Sequence, residues 1–171
     1  LGETLRTEYY YPPDLTSYYE QSAVMNKLVG RNQIASPVIT KTFQNGTATS
    51  EQRTHYAHFH ESNTNPEAGF ILPQYVYAKR GEIGPTSTPA DRKIIYDYYD
   101  NKGNLTEYTL DNGIPVSIIW GYNAQYPIAK VEGLRNNQIN SYITTLQGLS
   151  NAGTLSATSF DALRTFTNSL T

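Results

Sequence analysis

Ile94 to Asn123 reads IIYDYYDNKGNLTEYTLDNGIPVSIIWGYN. It predicts three antiparallel strands joined by two tight turns. In Asp100-Asn101-Lys102-Gly103, Asp suits the first position of a type I turn and Gly the last. The Asp side chain can accept a hydrogen bond from the backbone two residues on, and Gly tolerates the positive φ that closes the hairpin. The second turn, Thr109 to Ile114, allows two registers. A two-residue Asn112-Gly113 turn sets Tyr108 and Leu110 opposite Ser117 and Pro115. A three-residue Asp111-Asn112-Gly113 turn, with Gly113 as a left-handed bulge, sets them opposite Val116 and Ile114. A slip of one residue moves every side chain to the other face, so only the bulged register makes one coherent apolar face. That face carries Ile94, Tyr96, Tyr98, Thr106, Tyr108, Leu110, Ile114, Val116, Ile118 and Trp120. The other, with Lys93, Asp97, Glu107 and Ser117 among Ile95, Tyr99, Leu105 and Ile119, is expected to be half covered.

Tyr99-Asp100-x-x-Gly103-Asn104-Leu105-Thr106, then Gly113, then Trp120-Gly121-Tyr122-Asn123, resembles the YD repeat of Rhs-type proteins. The pattern there is roughly Tyr-Asp-x-x-Gly-Arg-Leu-Thr, a Gly in the next turn, and a Tyr-Asp opening the next unit. Asn104 departs from the Arg, and Asn123 stands where the next Asp would be. Residues 121–129, GYNAQYPIA, further resemble the large YD-repeat proteins of the Bacteroidetes. The motif covers about thirty residues, with a fainter likeness from Ser17 to the end. The resemblance implies a long ribbon of hairpins, which in Rhs-type members coils into a shell around a variable effector. It gives Tyr99, Asp100, Gly103, Leu105, Gly113, Trp120, Gly121 and Tyr122 structural roles, and implies a secreted or cell-surface bacterial protein. A further Tyr-containing strand tends to follow this region in the family. Its loss would leave a strand edge open and invite self-association, which a monomer at high concentration by light scattering would disprove.

At 171 residues the chain can bury a real core and is expected to form one domain. Three segments are expected: an N-terminal strand, helix and hairpin (1–92), the meander (93–133) and a helical cover (134–171). Fifteen Tyr and many Thr lean towards β structure. Dispersed Lys and Arg with a net charge of −2 make no basic stripe for nucleic acid. The absence of Cys excludes disulfides and thiolate metal sites. No run is apolar enough to span a bilayer, and no signal peptide is present. Leu1 in place of an initiator Met suggests a segment of something longer.

Residues 3–11 alternate as a strand stopped by Pro12-Pro13-Asp14. Ser17 and Glu20 have capping-box spacing, predicting a helix from Tyr18 to Val29 with Gly30 as its stop. Val38 to Gln44 turns at Asn45-Gly46 and returns through Arg53 to His60, a hairpin signalled by Asn-Gly. Glu61 to Gly69 reads as loop, and Ile71 to Lys79 as a strand that, from Pro73, either lies at an edge or starts late. Gly81 to Asp91 is a connection, and Pro127 to Gly133 one more strand. Ile139, Tyr142, Ile143, Leu146 and Leu149 then recur at helical spacing, between Asn136 or Asn137 and Gly148 as caps. Thr158 and Asp161 predict a second capping box, leading a helix with Phe160, Leu163, Phe166 and Leu170 on one side. The sum is an α+β, β-rich fold: an antiparallel meander of YD-type hairpins with helices on one face.

His55-x-x-His58-x-His60-Glu61 is the one cluster with metal-ligand residue types. Three ordinary histidines on a hairpin arm are the expectation, since no helical His pair or Cys supports a metal. No cofactor is called for. Nor is an enzyme: no nucleophile elbow appears, Asp100 and Asp111 belong to turns, and Asp97 opposite Glu107 reads as a solvated pair of like sign. Tyrosines are the remaining signal, because sugar rings and peptides dock on exposed aromatic faces with a polar handle. Tyr10, Tyr11, Tyr18, Tyr19, Tyr75, Tyr77, Tyr99, Tyr122 and Tyr126 could supply a platform, against the plainer reading of cross-strand packing. Tyr122, Asn123, Gln125 and Tyr126 are the candidate ligand residues, because they sit on a bend beside polar amides. Three functions therefore stand open: a non-enzymatic scaffold within a parent repeat protein, a glycan-binding module, and an uncharacterised hydrolase.

Overall fold

The computed structural model describes residues 2–59 and 69–170. Its strands are β1 (Leu5–Tyr10), β2 (Ile39–Gln44), β3 (Thr47–Phe59), β4 (Phe70–Arg80), β5 (Arg92–Tyr99), β6 (Leu105–Leu110), β7 (Pro115–Gly121) and β8 (Tyr126–Glu132). Its helices are α1 (Ser22–Gly30), α2 (Asn140–Asn151) and α3 (Asp161–Asn168). Strand order in the sheet is chain order, an antiparallel meander, so the fold is α+β and β-rich. The chain divides into two compact units, Leu1–Ile95 and Tyr96–Thr171, within β5.

In the first unit the Asn45-Gly46 hairpin forms as its residues require. Both φ values are positive, at 51° and 81°, and Gln44 pairs with Thr47. Pro73 does not mark an edge. It lies opposite Tyr56 just past a register shift, while β5 pairs with β4 only from Tyr75 to Tyr77. A missing N–H is tolerated at such a bulge. Eight residues of the connection predicted at 61–69, all but Gly69 at its end, together with His60, lie outside the described residues.

The N-terminal helix is shorter than expected. Tyr18 has φ of +61°, which is not helical, and α1 begins only at Ser22. The Ser17–Glu20 capping box fails because the Glu20 carboxylate is drawn to stronger, partly buried partners (described below). Gly30 is the last helical residue, yet the left-handed stop is Asn32 at φ +57°, with the Gln33 N–H on the Leu28 carbonyl at 2.9 Å. The core here joins Leu15, Met25, Leu28, Val38, Ile39 and Ile71.

The second unit has the bulged register: Tyr108 pairs with Val116, and Leu110 N–H donates to the Ile114 carbonyl at 3.1 Å. Gly113 has φ +81°. The helices, however, cover the face expected to be half open. Ile119 packs with Val131, Leu134, Ile139, Leu146 and Leu163, and Glu107 and Ser117 are fully buried beside it. On the opposite face Val116 is buried, but Tyr98 and Ile114 remain exposed. Polar residues can line a covered face only when paired, and the segment before α2 supplies the partners: the Leu134 carbonyl accepts from Ser117 Oγ at 2.8 Å, and Arg135 meets Glu107.

Two helix signals also move. Gly148 lies inside α2, which ends in a Schellman turn at Gly153 (φ +71°), with Thr154 N–H on the Leu149 carbonyl. Before α3, Ser156 and Ser159 make the reciprocal contacts expected of Thr158 and Asp161, and Asp161 pairs with Arg164 at 2.8 Å.

Candidate functional site

β7 is joined to β8 by Tyr122-Asn123-Ala124-Gln125, and the first three have φ of 52°, 57° and 60°. The result is a single left-handed helical turn, closed by Gln125 N–H on the Gly121 carbonyl at 3.0 Å. For L-residues each such position is disfavoured by about 1–2 kcal/mol, because Cβ crowds the following carbonyl. None of the three is Gly. The turn is therefore held from outside.

Its holders come from two sides. From α2, Ser150 Oγ accepts the Tyr122 N–H at 3.1 Å and Asn151 Oδ1 accepts the Asn123 N–H at 2.7 Å. Gln147 Nε2 donates to the Trp120 carbonyl at 3.0 Å. From the β5–β6 turn, Lys102 Nζ donates to the Asn123 carbonyl and Asn104 Nδ2 to the Ala124 carbonyl, the latter at 2.8 Å. Gly121 permits the approach of α2: a Cβ there would stand 2.5 Å from Ser150 Oγ.

The β5–β6 turn is equally determined. Asp100 Oδ1 accepts the N–H groups of Lys102 and Asn104 at 2.9 and 2.8 Å, and Oδ2 accepts Asn104 Nδ2 at 2.9 Å. Asn104, the departure from the repeat pattern, thus ties one turn to the other. Gly103 has φ +82°. The Leu105 carbonyl accepts Trp120 Nε1 at 2.8 Å, and Tyr99 lies 6.5 Å from the Tyr96 ring. At the β6–β7 turn the side-chain cap is Asn112, whose Oδ1 accepts the Ile114 N–H at 3.0 Å.

All four candidate ligand residues come together and all are exposed. Tyr122 and Tyr126 are 43% and 62% accessible, with rings 6.2 Å apart in an edge-to-face pair. Such a surface can stack and hydrogen-bond a ligand; it holds no nucleophile paired with a base. The other tyrosines divide between the units. In the first, Tyr19 is half-buried with its hydroxyl enclosed, Tyr75 and Tyr77 pack edge to face at 6.0 Å, Tyr10 donates to Glu8 at 2.8 Å, and Tyr11 and Tyr18 are exposed. Burial pushes the Tyr19 hydroxyl far above its ordinary pKa.

The carboxylate pair expected to be solvated is not. Glu107 is 1% exposed; Arg135 Nη1 donates to its Oε1 at 2.7 Å, and the Asn136 N–H to its Oε2 at 2.7 Å. Asp97 accepts from Thr109 Oγ1 at 2.6 Å and lies 3.9 Å from Arg135.

A polar cluster in the first unit had no local signal. Glu20 accepts from Ser87 N–H at 2.8 Å and Ser87 Oγ at 2.5 Å, and meets His55 Nε2 at 2.9 Å and Arg53 Nη1 at 3.1 Å. Burial opposes its ionisation, but the Ser87 and His55 hydrogen bonds outweigh that and hold its carboxyl below the usual range. Arg53 also binds Glu51 at 2.6 Å and the carbonyls of Ile83 and Gly84, so the 81–91 connection is pinned. These residues are 30 or more positions apart in several pairs, so only alternation along β3 hinted at them. His55 is thus tied to Glu20, and His60 and Glu61 lie outside the described residues. Among the described residues no three His, Asp or Glu stand close enough to hold a metal ion.

Among the described residues no helix is long and apolar enough to cross a membrane. No family model, curated protein or solved structure matches the chain.

Proposed function

We propose that this chain is a non-enzymatic structural and interaction segment, built of YD-type hairpins, of a longer secreted or surface-displayed bacterial protein. The observation that supports it is the use of the motif residues. Asp100, Gly103, Gly113, Trp120 and Gly121 close turns, cross-link strands or admit α2, as residues of a structural repeat would. β8 is the last strand of the sheet, an edge on which a further hairpin of the parent could pair. Amide hydrogen exchange tests the reading. β8 amides that exchange quickly in the isolated chain and slowly in its parent support it; equal exchange in both refutes it.

A second reading, a glycan-binding module, is favoured by the strained turn. Backbone strain persists where surroundings over-determine it, and such positions cluster at ligand clamps. Here the strain fixes two exposed tyrosines and two amides on one bend. A glycan-array screen, followed by titration through Trp120 and Tyr fluorescence, tests it. A reproducible hit abolished by Tyr122→Ala or Tyr126→Ala in a folded variant establishes the module; a clean negative with folded protein leaves the scaffold.

A further inference from the structure

β1 is the first strand of the sheet and pairs on one side only, with β2. The backbone groups on its free side follow a fixed pattern. The Thr4 and Tyr10 carbonyls accept the N–H groups of Asn45 and Val38 at 2.9 and 2.8 Å, and the register between them is unbroken. Hydrogen-bonding direction alternates along an antiparallel strand. Thr4, Arg6, Glu8 and Tyr10 therefore face β2, whereas Leu5, Thr7 and Tyr9 turn their N–H and C=O groups outward, ready to template another strand. Side chains alternate too. Tyr10 packs against the core, so Arg6 and Glu8 share its side of the sheet, where they pair at 3.2 Å. Leu5 and Tyr9 lie on the other side, 76% and 55% exposed.

The strand LRTEYY is complementary to itself. Two copies laid antiparallel about a two-fold axis at Thr7 set Thr7 opposite Thr7, Leu5 opposite Tyr9 and Arg6 opposite Glu8. Leu5, Thr7 and Tyr9 then make the hydrogen-bonded pairs, each partner supplying outward groups. Arg6 and Glu8 fall at the positions between, where side chains approach closest. Two opposite-charge pairs form on one face and two Leu–Tyr pairs on the other, both favourable across strands. Charge also fixes the register. Sliding one strand by two residues keeps the hydrogen-bond phase but sets Arg6 against Arg6, or Glu8 against Glu8, and like charges directly opposite repel. Charged side chains ordinarily guard an open edge. Here their opposite signs, placed evenly about Thr7, select one partner. We propose that β1 pairs with β1 of a second copy of this chain, an isologous contact that closes as a dimer. It uses the other edge of the sheet from β8 and does not rest on the repeat reading.

Sedimentation equilibrium of the full chain, from low to high micromolar concentration, tests the proposal. The mass is expected to rise to twice that of one chain. Arg6→Glu and Glu8→Arg each place like charges across the axis, and each should weaken association by about tenfold or more. An equimolar mixture of the two variants restores opposite charges at every pair and should regain the native association. Thr7→Pro removes the central outward N–H, which an edge strand tolerates, and should leave a monomer. Tyrosine near-UV circular dichroism confirms that the first unit is folded. Lys130→Pro makes the same change on β8, where the Gly133 N–H bond to the Pro115 carbonyl places the Lys130 N–H on the free side. It should associate as the native chain does. A folded native chain that stays monomeric overturns the proposal, as does a mixture no better than its parts, or association that persists in Thr7→Pro. Association lost in Lys130→Pro but kept in Thr7→Pro assigns the contact to β8 and overturns it equally.

Discussion

Gly121→Ala tests whether α2 approaches β7 as closely as the turn requires. The added Cβ would lie 2.5 Å from Ser150 Oγ and 2.9 Å from both Cδ1 and Cγ2 of Ile128. Ser150 is buried, and its Oγ cannot turn away freely. It donates to the Gln147 carbonyl at 2.9 Å and accepts the Tyr122 N–H at 3.1 Å. Ile128 Cγ2 branches at Cβ and moves only with χ1 or the backbone. Overpacking of this kind costs about 1–3 kcal/mol, and losing the Ser150–Tyr122 bond adds about 1 kcal/mol. The expected destabilisation is therefore about 2–4 kcal/mol. Urea unfolding followed through Trp120, the single tryptophan and part of the same unit, measures it. Ser150→Ala removes the nearest clashing atom, so in that background the Gly121→Ala penalty should shrink by about 1 kcal/mol or more. A penalty below about 0.5 kcal/mol, or an equal one in both backgrounds, would refute the close approach.

Three other outcomes are expected. Ala124→Gly removes a Cβ at φ +60° and should stabilise the second unit by up to about 1 kcal/mol in the same assay; a loss of stability would count against the left-handed turn. Asp100→Ala removes three hydrogen-bond acceptances and should cost about 1–2 kcal/mol. An unchanged urea midpoint would show that the aspartate does not organise its turn. The Glu20 carboxyl is held below its unfolded pKa, so its stabilisation is present above about pH 4.3 and lost as pH falls through the folded value. Thermal melts read by tyrosine near-UV circular dichroism should drop more steeply with acid in the native chain than in Glu20→Gln, and parallel curves would dismiss the effect.

The local signals worked where one turn or one alternation settles the matter. Asn45-Gly46 turns as its dihedral preference dictates, and matching the two strands across Asp111 to Gly113 chose the right register before any packing was known. The tyrosines and amides of the β7–β8 bend were also legible, since exposure follows from a polar break between strands. Tertiary structure decided the rest. Nothing near Tyr122 predicts three left-handed residues; Ser150, Asn151 and Asn104 impose them from 20 or more positions away. Glu20 resembled a helix cap until a serine 67 residues on and Arg53 claimed its carboxylate. Glu107 looked solvated because its partner, Arg135, lies beyond another two strands. A residue's own sequence carries its backbone preference and its hydropathy, whereas the pairing of a buried charge depends on which distant segment folds over it, and that is fixed only when the core closes.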